Sequence, residues 1–260
     1  MSVVAVEFNP EILWQNWGLV WDHRGELLRG LLTAMEVAAV ALVISVAVGL
    51  LLALGRMSRP PISWLASIYV NTFRGMPALV SVIWVYFGWS LVLGINFTVF
   101  QAGVIALVLL YSAFISEIYR AALLAIPKGQ REAGLALGMH PARVFVRVVL
   151  PQATKIAIPN IGSMFIGMIK DTSTFTVIGL LEVVRVTQNI NSTTFQPFVL
   201  YTAAAMLYVL AAFAVDFLFR AIEKSLSTPP AGRIAGAVTG RRRRRIDLVV
   251  KQVEAVSGRS

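Results

Sequence analysis

Cysteine is absent from this 260-residue chain, and histidine occurs only at His23 and His140. Without cysteine there is no disulfide framework, no thiol nucleophile and no thiolate metal site. The distribution of basic residues puts the two histidines on opposite sides of a membrane. No histidine pair can then build a metal or proton-relay site, and no metal ligands are assigned. Charge is also scarce, at 14% of residues against 57% hydrophobic. A soluble domain carries about a quarter charged residues, so the composition is that of a membrane protein. The net charge of +10 comes with no nucleic-acid recognition motif and is better read as Lys and Arg retained on the cytoplasmic side. Serines are plentiful, but none has a base in a recognisable arrangement. Gly162 and Gly167 have the spacing of a phosphate loop, yet Met168 stands where a lysine is required. The chain therefore hydrolyses no nucleotide by itself.

What is present is a series of long apolar runs. Residues 1–26 lack the basic start and small-residue cleavage site of a signal peptide. Asn9, Pro10 and Glu11 read as the start of a helix carrying Trp14, Trp17 and Trp21 at helical spacing, suited to the headgroup region. The first span is expected over residues 27–55, uncharged from residue 37 onward and long enough to cross about 30 Å of hydrocarbon. Glu36 precedes that run, as a lumen-facing acid or as one reaching the interface. Residues 75–116 carry no charge and hold two spans: Pro77 starts the second, Gly94, Ile95 and Asn96 turn the chain, and the third covers residues 98–125. The segment before Pro77 reads either as an interfacial helix or as an extension of the second span. A fourth span is expected over residues 152–169, with Lys155 and Lys170 snorkelling and Pro159 and Gly162 kinking it. Residues 171–196 form a polar outer segment with a short helix around residues 177–186. The fifth span covers residues 197–219, with Asp216 and Arg220 paired near its inner end.

The fold class is thus an all-α membrane protein of about five spans. With the N-terminus outside and the C-terminus inside, every one of the 23 basic residues except Arg24, Arg29, Lys170 and Arg185 falls on the cytoplasmic side. Residues 27–222 make the membrane domain. Residues 223–260 form a cytoplasmic, arginine-rich tail that reads as disordered, and its Arg241 to Arg245 run suits anionic membrane lipid or the setting of orientation, with a specific docking role as the alternative.

By this topology residues 127–151 are cytoplasmic, a polar interruption with the punctuation of a folded element. Glu132 to Leu137 reads as a short helix ended by Gly138, since glycine takes a left-handed C-terminal conformation without penalty. Pro141 suits the first turn of a second helix, with Arg143 and Arg147 on one side and Val144, Phe145, Val148 and Val149 on the other. Pro151 is expected to stop it. The product is a rigid knob built to touch something.

Glu132-Ala133-Gly134, three residues, Gly138, nine residues, Val148, one residue and Leu150-Pro151 resembles the EAA loop of permease subunits of ATP-binding-cassette importers. Gly134 replaces an alanine and Val148 an isoleucine of the pattern. The run from Asn71 to Pro77, Glu117 to Arg120 leading into Pro127-Lys128-Gly129-Gln130, and Lys170 to Ser173 followed by Ile178-Gly179 and Glu182 look like the polar amino-acid permeases, the histidine and glutamine type. Ser81 stands where many of them have glutamine.

The resemblance implies a type I importer permease fold in a bacterial plasma membrane, with residues 127–151 as a cytoplasmic coupling helix set in the groove of an ATPase dimer. Gln130, Glu132, Ala133, Gly134, Gly138 and Arg143 are the coupling candidates. It also implies a second permease subunit, identical or related, and an extracytoplasmic solute-binding protein. ATP and Mg would be used by the ATPase, and this chain would need no cofactor. Polar groups at membrane depth tend to face interior cavities, which makes Arg74, Ser81, Trp84, Glu117, Lys170 and Asp171 candidates for the solute path, with Glu117 and Arg120, one turn apart, reading alternatively as a pair. The rival class is a self-sufficient secondary carrier or channel, opposed by the absence of an inverted repeat and of a deep acidic or histidine relay.

Overall fold

The computed structural model describes residues 16–227. Asn9, Pro10, Glu11, Trp14 and Arg241 to Arg245 lie outside the described residues. Ten α-helices follow in order: α1 (Trp17–Asp22), α2 (Arg24–Arg56), α3 (Ile62–Arg74), α4 (Ala78–Leu93), α5 (Val99–Ala125), α6 (Lys128–Ala136), α7 (Pro141–Val144), α8 (Leu150–Asp171), α9 (Val183–Thr194) and α10 (Pro197–Ser227). By length and composition α2, α5 and α10 can each cross a membrane. Two bent pairs, α3 with α4 at 108° and the run through α8 with α9 at 48°, bring the spans to five. The described residues up to Arg220 form one unit; the described residues beyond it end α10.

At the centre of this unit α2 packs along α5. The first is apolar on all sides, so no polar face orients it. Size orients it instead: besides Leu27 and Val37, its buried face is a stripe of Gly30, Ala34, Ala38, Ala41, Ser45, Gly49 and Ala53. Such a stripe lets helix backbones approach closely. A Cβ at Gly49 would lie 2.8 Å from Ile115 Cγ2, and one at Gly30 3.0 Å from the backbone of Val183. Glu36 lies on the exposed side.

A 108° bend at Gly75 to Pro77 separates α3 from α4. Pro77, extended at φ −65° and ψ 145°, stands ahead of α4, whose middle is a π turn, Trp84–Gly88. Gly94 ends it at φ 67°. The start of α5 is held by a capping box in which Gln101 N–H donates to Thr98 Oγ1 at 3.2 Å and Thr98 N–H to Gln101 Oε1 at 3.0 Å.

Three expectations need correcting. The first helix of the 127–151 region starts at Lys128, not Glu132. Pro151 does not stop the second, because Phe145–Val149 winds as a π turn and leads straight into α8. A proline lacks the N–H for a bond four residues back and crowds that carbonyl; in the first turn of the α segment, after a wide π turn, neither demand holds. Gln152 Nε2 donates to the Val148 carbonyl at 2.7 Å there. The short outer helix covers Val183–Thr194, because Thr172–Ile178 is 3₁₀ and Gly179, at φ 86°, breaks the chain before it. α8 runs as one helix through Pro159. Gly162 serves packing: a Cβ there would meet Phe219 at 2.7 Å.

Candidate functional site

Two regions carry the polar chemistry, and the first is the α6–α7 knob. Past α6 the Gly138 N–H donates to the Leu135 carbonyl at 2.9 Å and the Met139 N–H to the Gly134 carbonyl at 3.2 Å. With Gly138 at φ 75° this is a Schellman closure, in which the last carbonyls of the helix are used and the chain reverses sharply. His140, to which sequence reasoning gave no role, then caps α7: its Nδ1 accepts from Ala142 N–H at 3.3 Å. Val144 is buried against Gly134, where a Cβ would stand only 2.9 Å from Val144 Cγ2. The two short helices are thereby held as one body. Gln130, Glu132, Ala133, Gly138 and Arg143 are exposed on it, whereas Gly134 is its buried joint. Leu137 is 82% exposed, an apolar contact at the tip that sequence reasoning did not assign.

The second region lies among the spans. Glu117 Oε1 accepts from Arg56 Nη1 at 2.6 Å and from Arg74 Nη1 at 2.9 Å, and Oε2 accepts from Arg120 Nε at 2.9 Å. One carboxylate therefore ties the ends of α2 and α3 to α5. Six residues earlier on α5, about 9 Å along the axis, Tyr111 Oη donates to Asp171 Oδ2 at 2.9 Å. The path candidates thus split. Arg74 and Glu117 are joined, and Asp171 belongs to a separate site one to two turns away. Lys170 is exposed next to it, and Trp84 is half exposed against Trp89, with ring centroids 5.7 Å apart. Ser81 is only 1% exposed, between α4 and α5, with its hydroxyl on the Ala106 carbonyl at 3.4 Å.

Glu182 is a polar centre that carried no assigned role. It is fully buried and caps α9, accepting from Val184 N–H at 2.8 Å and Arg185 N–H at 2.7 Å, while Tyr208 of α10 donates to it at 2.6 Å. A carboxylate at a helix N-terminus is favoured by the orphan amides and the helix dipole. The sequence signal was an acid just ahead of a helical run.

A small-residue α2, two broken spans and a closed knob between α5 and α8 define a membrane permease, and residues 45–228 match the family of binding-protein-dependent transport system inner membrane components. The chain belongs to that family. It is 34% identical over 203 residues to the arginine transport system permease protein ArtQ of Bacillus subtilis, covering 78% of this chain and 93% of that one. To the glutamine transport system permease protein GlnP of Escherichia coli it is 31% identical over 216 residues, covering 81% and 97%. A crystal structure of an amino acid ABC transporter with histidines matches at a TM-score of 0.74 and 33% identity, over 81% of this chain and 98% of that one. An inward-facing MetNI methionine transporter shares the fold at a TM-score of 0.67 and 20% identity, over 82% of this chain and all of that one.

Proposed function

We propose that this permease forms half of the translocation path for an amino acid and that its α6–α7 knob carries the stroke of a separate ATPase into the spans. The observation that carries this reading is the knob itself: a body closed by the Schellman turn and by the Gly134–Val144 contact, continuous with α8 and bearing exposed Gln130, Glu132 and Leu137. An element that must be pushed as a unit needs this stiffness, and exposed polar groups keep it soluble when undocked. The asymmetry of the basic residues supports an N-terminus outside and the knob in the cytoplasm. A second permease subunit, an ATPase dimer using ATP and Mg, and a solute-binding protein complete the importer.

The relatives are named for arginine, glutamine and cystine. These solutes share an α-ammonium and a carboxylate, which favours an amino acid here without fixing its side chain. Asp171 is the acid suited to the ammonium group. Asp171→Asn keeps an acceptor for the Tyr111 hydroxyl but removes the charge. It is expected to raise the half-saturation of uptake at least tenfold in proteoliposomes while the melting midpoint of the complex stays put. A falling midpoint with unchanged half-saturation would make the Tyr111–Asp171 pair purely structural.

The partner is tested by purifying the tagged chain in mild detergent and identifying what accompanies it by mass spectrometry. Native protein should bring an ATPase. Glu132→Lys, which reverses one exposed charge without touching a packed contact, should lose most of it. A native chain that arrives without an ATPase yet moves a solute in vesicles would instead be a secondary carrier.

A further inference from the structure

Where the C-terminal ends of α2 and α5 meet the knob there is a cavity of about 420 Å³. We propose that it binds an anionic phospholipid of the membrane face on which the knob lies, with the phosphodiester on Lys128 and Arg131 and an acyl chain along the hydrocarbon wall. Leu54, Met57, Leu124 and Phe145 supply that wall. Met57 and Leu124 are exposed although apolar, at the ends of two spans, so the wall opens at the depth where headgroups give way to chains.

Lys128 and Arg131 are three residues apart on α6 and share its face. Arg56, Arg74, Arg120 and Arg220 all have carboxylate partners, whereas among the described residues neither Lys128 nor Arg131 has one and no acid lines the cavity. Two uncompensated cations above a hydrocarbon cleft are complementary to a lipid that is itself apolar below and singly negative above. A soluble phosphate would leave the wall unused. Phosphatidylcholine would bring its own ammonium group to an already positive rim. The site is independent of which solute crosses the membrane.

The test is native mass spectrometry of the purified transporter, with its accompanying subunits, titrated with phosphatidylglycerol or phosphatidylcholine. Native protein should retain phosphatidylglycerol with at least a tenfold preference. The Lys128→Gln, Arg131→Gln double variant should lose that preference. Met57→Trp fills the hydrocarbon part at constant charge and should lower phosphatidylglycerol retention severalfold. Arg220→Gln, a charge change elsewhere, should retain it as native protein does. Equal retention of the two lipids by native protein would overturn the site. So would native-level phosphatidylglycerol retention by the double variant, including the case where the variant loses only the ATPase. Because the double variant and Met57→Trp alter separate features, misfolding of one leaves the other as the test.

Discussion

Glu117→Ala is expected to destabilise the membrane domain by about 3 kcal/mol and to cost most of the recoverable folded protein. Removing one partner of a buried ion pair costs roughly 3–5 kcal/mol, chiefly because the charge left behind has lost its counterion. Here three charges are left, on Arg56, Arg74 and Arg120, which all converge on this carboxylate. The low end of the range applies because Arg74 and Arg120 keep 43% and 40% of their side-chain exposure and are partly screened by water. Arg56, at 16%, has no such relief. The check is the melting midpoint of the detergent-purified chain. Glu117→Gln should fall between native and alanine, since the amide retains one acceptor but no charge. Adding Arg56→Met to Glu117→Ala should recover part of the loss by removing the least solvated of the stranded cations. An alanine variant that melts like native protein but binds solute more weakly would move Glu117 from the frame of the domain to its solute path.

That carboxylate shows where the sequence could be read and where it could not. Its pairing with Arg120 lies three residues away and was visible as helical spacing. The bonds to Arg56 and Arg74 bridge 61 and 43 residues and depend on where α2 and α3 end in space. Local chemistry was legible elsewhere too. Gly138 takes the left-handed conformation its position suggested, the chain turns at Gly94, and Asp216 and Arg220 pair at 2.7 Å. The corrections arose where a local rule met a tertiary one. Pro151 would stop an ordinary α-helix, but the π turn before it absorbs the missing bond. Gly162 would weaken an isolated helix, but it makes room for Phe219. Ser81 is polar in an apolar run, and its burial between α4 and α5 could not be read from that run. The small-residue stripe of α2 went unread because hydrophobic periodicity is blind to a helix that is apolar all round.

Gly134→Leu is expected to abolish coupling, with uptake falling more than tenfold, while the chain still inserts and its spans melt close to the native midpoint. Even a Cβ at this position stands 2.9 Å from Val144 Cγ2, and Val144 is buried and stiff about its first torsion. Alanine, which the EAA pattern carries here, would need a small shift of Val144. Leucine has nowhere to go, so α6 must lift from α7; overpacking of this kind costs about 1–3 kcal/mol. A helix of nine residues cannot hold itself together without such a contact. The knob then no longer moves as one body. ATP hydrolysis by the associated subunit should become indifferent to the solute, or the subunit should be lost on purification. Val144→Ala in the Gly134→Leu background reopens the space and should restore a measurable part of uptake, which separates lost packing from a lost surface contact. If Gly134→Leu transported at the native rate, the stroke would have to enter the membrane domain by some element other than α6.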